Sequence, residues 1–167
     1  VLLLTGARRG EVLQARWDDF DLASGKWRKP GATTKQKTEH EVPLSSAAVQ
    51  LLAGLRQRVS THAEWLFPTA EGSHRRALKR DAWASICRAA SLKGARVHDL
   101  RHTYASVLAS AGLSLPIIGQ LLGHTTPTTT ARYAHLFDDP LRAAAERAGA
   151  IITGTAPADI VPLPVRK

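Results

Sequence analysis

A mainly helical α+β domain with one small antiparallel sheet is the fold class this sequence predicts, on three observations. Apolar residues recur at helical spacing along most of the chain, as in Ala48, Val49, Leu52 and Leu55. Only residues 17–44 break that rhythm, where Ala23-Ser24-Gly25 and Pro30-Gly31 punctuate short runs at 26–29 and 39–44, the pattern of strands and turns. The length, 167 residues, suits one domain that buries about two thirds of the surface its unfolded chain exposes.

Each element follows from local chemistry. Residues 1–4 read as the end of an apolar helix; Gly6 breaks it and a second helix runs to Arg16, which leaves Arg8 at the bend. After the sheet, Ser45 or Ser46 caps a helix reaching about Gln57. A loop with Trp65-Leu66-Phe67-Pro68 leads to a helix over roughly 76–90, entered through Ser73-His74-Arg75-Arg76 and carrying Lys79 and Arg80 in its early turns. Cations there oppose the helix dipole, which suggests a phosphate to bind. Trp83, Ile86, Cys87 and Ala90 share helical spacing, so Cys87 reads as a core thiol, as the four tryptophans read as core. Farther on, Gly112 suits the position just past a helix end, and Ser114 caps a short helix with Pro116 in its first turn and Ile117, Ile118, Leu121 and Leu122 inward. Gly123 ends that helix, Thr126-Pro127 starts another carrying Tyr133, and 140–150 makes a last Ala-rich helix. Residues 151–167 read as a tail, a flexible end or an arm for a partner.

Composition narrows the function classes. Lys and Arg outnumber Asp and Glu 23 to 14, and the pI near 10.4 favours a polyanionic partner such as nucleic acid. A single cysteine excludes a disulfide framework within the chain. No apolar run approaches the roughly 20 residues that span a bilayer, and residues 1–4 are too short for a signal peptide, so the expectation is an intracellular protein without a membrane partner. An opening in mid-helix without an initiator Met reads as a fragment of a longer polypeptide.

The run His98-Asp99-Leu100-Arg101-His102-Thr103-Tyr104-Ala105 is where function first becomes legible. At 100° per residue Leu100, Tyr104, Val107, Leu108 and Ala111 gather on one face, expected to be buried; His98, Arg101, His102 and Ala105 gather on the other, expected to be free for chemistry. There are two tyrosines. With Tyr104 on the apolar stripe, Tyr133 is the candidate nucleophile, in a Thr/Ala/Arg-rich setting consistent with an exposed hydroxyl. His98 and His102 also have the i, i+4 spacing of a zinc-protease helix; Arg101 on the same face opposes a dication, and that reading leaves Arg8, Lys35 and Tyr133 idle.

The order of the motifs decides between these readings: Thr5-Gly6-Ala7-Arg8-Arg9-Gly10-Glu11, a hairpin lysine, His98-x-x-Arg101, Leu121-Leu122-Gly123-His124, then Tyr133 nine residues later. This set resembles the catalytic domain of the tyrosine recombinases, the phage-integrase family, over residues 1–150. The resemblance implies that family's helical fold with a three-stranded antiparallel sheet. It further implies strand cleavage and rejoining through a 3′-phosphotyrosine on Tyr133, with no cofactor or metal because the protein–DNA link keeps the ester energy. Arg8 and Arg101 match the arginines that bind the non-bridging phosphate oxygens, where a guanidinium fork is wanted. Lys35 falls at the place of the lysine that protonates the leaving 5′-oxygen, with Lys37 on the same strand face as its rival. His98 and His124 match the phosphate-site histidines, and Glu11 an acidic residue that orients a cation. The implied partners are double-stranded DNA and other copies of the chain, four in a synapse, in a cytoplasmic, nucleoid-associated setting of bacterial or phage origin.

Outside that set Arg9, Lys37, Arg75, Arg76, Lys79, Arg80 and Arg132 are candidate contacts to the DNA backbone, which position without reading bases. Two alternatives share these residues: a DNA-binding fragment inactive in recombination for want of the family's N-terminal clamping domain, and a type IB topoisomerase.

Overall fold

The computed structural model describes residues 1–34, 37–60, 62–78 and 80–154. Its helices are α1 (Leu2–Thr5), α2 (Arg9–Leu13), α3 (Ser46–Arg56), α4 (Arg80–Ala89), α5 (Asp99–Ser110), α6 (Leu115–Leu122), α7 (Pro127–Ala131) and α8 (Asp138–Thr153), and one antiparallel sheet β1-β2-β3 (Phe20–Asp21, Lys26–Lys29, His40–Pro43) lies between α2 and α3. The expected fold class and the place of the sheet are both met.

Strand β2 pairs with β3 in the register Trp27 to Val42 and Lys29 to His40. Its alternation buries Trp27 and Lys29 and turns Lys26 and Arg28 outward to Glu41 and Glu39. Ser45 caps α3, its hydroxyl accepting from the Ala48 amide, and Ala48 and Leu52 carry the buried stripe. Together Ala7, Val12, Ala15, Trp17, Trp27, Val42, Leu52 and Leu66 make one core; Ala105, Ala109, Ile118, Leu122 and Tyr133 make a second. No helix among the described residues is long and apolar enough to cross a membrane.

Several expectations need correction. The inward line of α5 is Arg101, Ala105 and Ala109, whereas Val107 is 62% exposed and Ala111 lies in solvent. Small residues let α5 approach its neighbours closely, and the guanidinium is buried because carbonyl oxygens there need donors; apolar periodicity sees neither effect. Helix α4 starts at Arg80, four residues later than expected, with His74 paired to Pro68 in an isolated bridge before it. On it Ile86 is exposed and Cys87 half-buried, so Cys87 is not a core thiol. Ile117 is likewise exposed. Tyr133 sits in the turn after α7, and α8 extends through Thr153, into the segment read as tail; 155–167 lie outside the described residues.

Candidate active site

The site is assembled where the two cores meet. Gly6 ends α1 in the left-handed conformation, φ 61°, and a Cβ there would collide with the Tyr104 ring. That tight turn sets Arg8 at the N-cap of α2. Glu11, at the third position of α2, accepts the Arg8 amide (3.0 Å) and the Arg8 Nη1 (2.8 Å). Its second oxygen also takes Lys29 Nζ from β2 at 2.8 Å, and both partners of that pair are buried. Burial would push the Glu11 carboxyl up, but the Lys29 charge and the bonds from Lys29 and Arg8 hold it below the ordinary range. Glu11 thus orients a cation, as its position implied. Lys29 was not singled out in the sequence: a lysine in a strand with outward lysine and arginine neighbours gives no signal of burial.

Arg101, 4% exposed, donates Nη1 to the Gly6 carbonyl (2.7 Å) and Nη2 to the Leu122 carbonyl (2.8 Å), which end α1 and α6. The expectation of a freely presented Arg101 is corrected: two of its five donors stitch helix ends together, and three remain for a ligand. Burial and then the Arg8 charge lower its pKa to about 10.

Tyr133 is 6% exposed, not the exposed hydroxyl expected, because Ala105 and Ala109 leave room for its ring in the second core. Its hydroxyl bonds His102 Nδ1 at 2.7 Å, and burial raises its pKa against the pull of Arg132 and Arg101. His124 Nδ1 bonds Thr130 Oγ1 at 2.9 Å, and burial, then the charges of Arg101 and Arg8, bring it to about 4. His98, exposed, meets the His102 ring edge to face at 4.9 Å, and burial followed by His102 and Arg101 lowers its pKa. Arg8, His98, Arg101, His124 and Tyr133 therefore lie within one electrostatic neighbourhood, and Arg132 stands in it too.

Lys35 lies outside the described residues, as does Lys79, and nothing is described of the Arg80 side chain. Lys37 is exposed, with a left-handed backbone at φ 54°. Strand β3, which follows Lys37, is pinned to α6 by His40, whose Nε2 meets the Gln120 carbonyl at 2.7 Å. Arg9, Arg75, Arg76 and Arg132 are exposed. Arg9 and Arg75 line one cavity of about 360 Å³, and Arg9 shares a second, of about 530 Å³, with His98, Trp83 and Arg96. The sequence does not single out Arg96, and helical spacing puts His102 on the face of His98 and Arg101 but cannot say that Tyr133 comes to it.

Residues 1–139 match the sequence profile described as the phage integrase family. The integrase of Salmonella phage P22 is 28% identical over 170 residues, covering 93% of this chain and 42% of that protein. Tyrosine recombinase XerC of Pelobacter propionicus is 32% identical, over 84% of this chain and 47% of its own length. Among solved structures, the XerH site-specific recombinase bound to palindromic difH substrate in a post-cleavage complex aligns with a TM-score of 0.65 at 25% identity, over 91% of this chain and 44% of that one. The chain spans less than half the length of these relatives.

Proposed function

The chain belongs to the phage integrase family, and from that premise we propose that it is the catalytic domain of a site-specific DNA recombinase. The observation that carries the reading is the meeting of Arg8, Arg101, His98 and His124 around a single tyrosine whose hydroxyl is held by a side chain.

In the proposed reaction Tyr133 Oη attacks a DNA phosphorus and the 5′-oxygen leaves, which makes a 3′-phosphotyrosine; a 5′-hydroxyl later reverses the step. The Arg8 guanidinium, fixed by Glu11, and the free edge of Arg101 take the charge that builds on the non-bridging oxygens. His98 and His124, each neutral near pH 7, donate hydrogen bonds to the same phosphate. The leaving oxygen takes its proton from the hairpin lysine, Lys35 with Lys37 as the rival. Exposed Arg9, Arg75, Arg76 and Arg132 hold the DNA backbone on either side, a role extended to Lys79 and Arg80 from the sequence. Double-stranded DNA is the substrate, and four copies of the chain make the synapse.

The test is to mix the chain with a pool of nicked duplexes of randomised sequence and recover adducts that resist denaturation by detergent. The wild type yields them and Tyr133→Phe yields none; an adduct that survives in Tyr133→Phe removes the assignment of the nucleophile. Supercoil relaxation without recombinant product would favour the topoisomerase reading.

A further inference from the structure

The reaction written above leaves one proton without a destination. Tyr133 reaches its phosphorus as a phenol, and attack through oxygen releases the phenolic proton. At 6% exposure the ring is shut away from bulk water, so a protein group has to receive it. We infer that this group is His102, whose Nδ1 lies 2.7 Å from the Tyr133 hydroxyl, and that it takes the proton on cleavage and returns it on rejoining. The inference rests on the recombinase reading and adds to it a catalytic residue outside the set that the sequence motifs pick out.

The geometry suits the task. A separation of 2.7 Å is hydrogen-bond range for transfer between heavy atoms, and Nδ1 accepts only if the ring is neutral with its proton on Nε2. Burial and the cations packed around His102 favour the neutral ring, against Asp99 alone. Its own helix brings His98, Asp99 and Arg101 towards it, and Arg96 lies just ahead of that helix. From the turn after α7 come Arg132 and Tyr133, and from the end of α6 comes His124. Burial, then Arg132, lowers the His102 pKa, and Asp99 opposes the shift without reversing it. On its other side His102 lines an open cleft with Asp99, Thr103 and Ser106, which gives the imidazolium access to solvent and a nearby carboxylate.

The step balances. The Tyr133 Oη–P bond forms as the P–O5′ bond breaks, the phenolic proton passes to His102 Nδ1, and the leaving 5′-oxygen takes one proton from the general acid. Rejoining runs the same transfers backwards. His98 is the rival base, since its ring touches that of His102, but it does not hold the tyrosine hydroxyl.

The experiment uses the full chain and a duplex selected from the random nicked pool by wild-type adduct formation. His102→Ala removes the base, and His102→Asn keeps a hydrogen-bonding atom near the Nδ1 position that cannot take a proton. Both are expected to cut single-turnover cleavage by about 10²–10⁴-fold, and His102→Asn to do so with an unchanged thermal midpoint. Wild-type cleavage falls as pH drops through the His102 pKa, because only the neutral ring accepts; that acid limb is lost in His102→Asn. A substrate with sulfur at the bridging 5′ position leaves without needing a proton, and it does not rescue His102→Asn. The inference is overturned by any of four results: His102→Asn within about threefold of wild type, faster cleavage in either variant, rescue by the sulfur substrate, or loss of the acid limb in His98→Asn but not in His102→Asn. If the wild type forms no adduct with any duplex, the recombinase reading itself fails and the inference goes with it.

Discussion

Glu11 is the residue on which the first half of the site turns, because one carboxylate holds the Arg8 amide, the Arg8 guanidinium and the Lys29 ammonium. Such an ion pair is weak as a source of stability yet costly to break, since the partner left behind is a buried charge. Glu11→Gln is therefore expected to lower unfolding free energy by about 3–5 kcal/mol in urea titrations, with Lys29, 1% exposed, as the stranded group. The double change Glu11→Leu with Lys29→Met removes both charges and keeps the volume, so it should recover most of that loss. Cleavage should stay depressed at least tenfold in the double variant, because nothing then orients Arg8; recovery of both stability and cleavage would show that Glu11 serves the fold alone. The sign with pH is that of a depressed carboxyl. Its stabilisation is present above the unfolded carboxyl pKa and is lost as pH falls through the lower folded value.

Helix ends, more than helix faces, organise the elements around the site. Arg101 joins the last carbonyls of α1 and α6, and His40 ties the hairpin to the same end of α6 where Gly123 turns at φ 67°. A Cβ on Gly123 would meet His40 Nδ1 at 2.8 Å, so Gly123→Ala is expected to loosen the hairpin from α6 and to cost about 1 kcal/mol or more, read as a lower thermal midpoint. Arg101→Lys should cost about 1–3 kcal/mol, because one ammonium cannot reproduce a planar fork aimed at two separate helices. These joints also explain what the sequence could and could not tell. Caps at Ser45, Gly112 and Gly123 and the period of α3 were legible because they are local. The inward face of α5 was not, since what buries Arg101 is a pair of carbonyls 95 and 21 residues away. Motif order placed Arg8, His98, Arg101, His124 and Tyr133 together, but the His102 bond spans 31 residues and joins two elements whose meeting no periodicity encodes.

At the scale of the whole molecule the formal net charge of +9 comes from guanidinium and ammonium groups. His40, His98, His102 and His124 all lie below the ordinary histidine range, through burial first and neighbouring cations after it. If exposed Arg9, Arg75, Arg76 and Arg132 grip DNA phosphates, replacing each with Gln should weaken binding alike across sequences and flatten the plot of log affinity against log salt by about one charge. Burial of His124, with cations beside it, makes acid destabilising. His124 takes its proton near 6.5 in the unfolded chain and only near 4 in the folded one. Between those values the unfolded state binds more protons, so stability drains away as pH falls through that window and levels off once both states are charged. Urea midpoints should drop between pH 7 and pH 4.5, a range set by these two values, and the drop should be smaller in His124→Asn, which keeps a partner for Thr130 but cannot be protonated. An equal drop in the variant would mean that His124 titrates alike in both states, and that neither its burial nor the cations around it move its pKa.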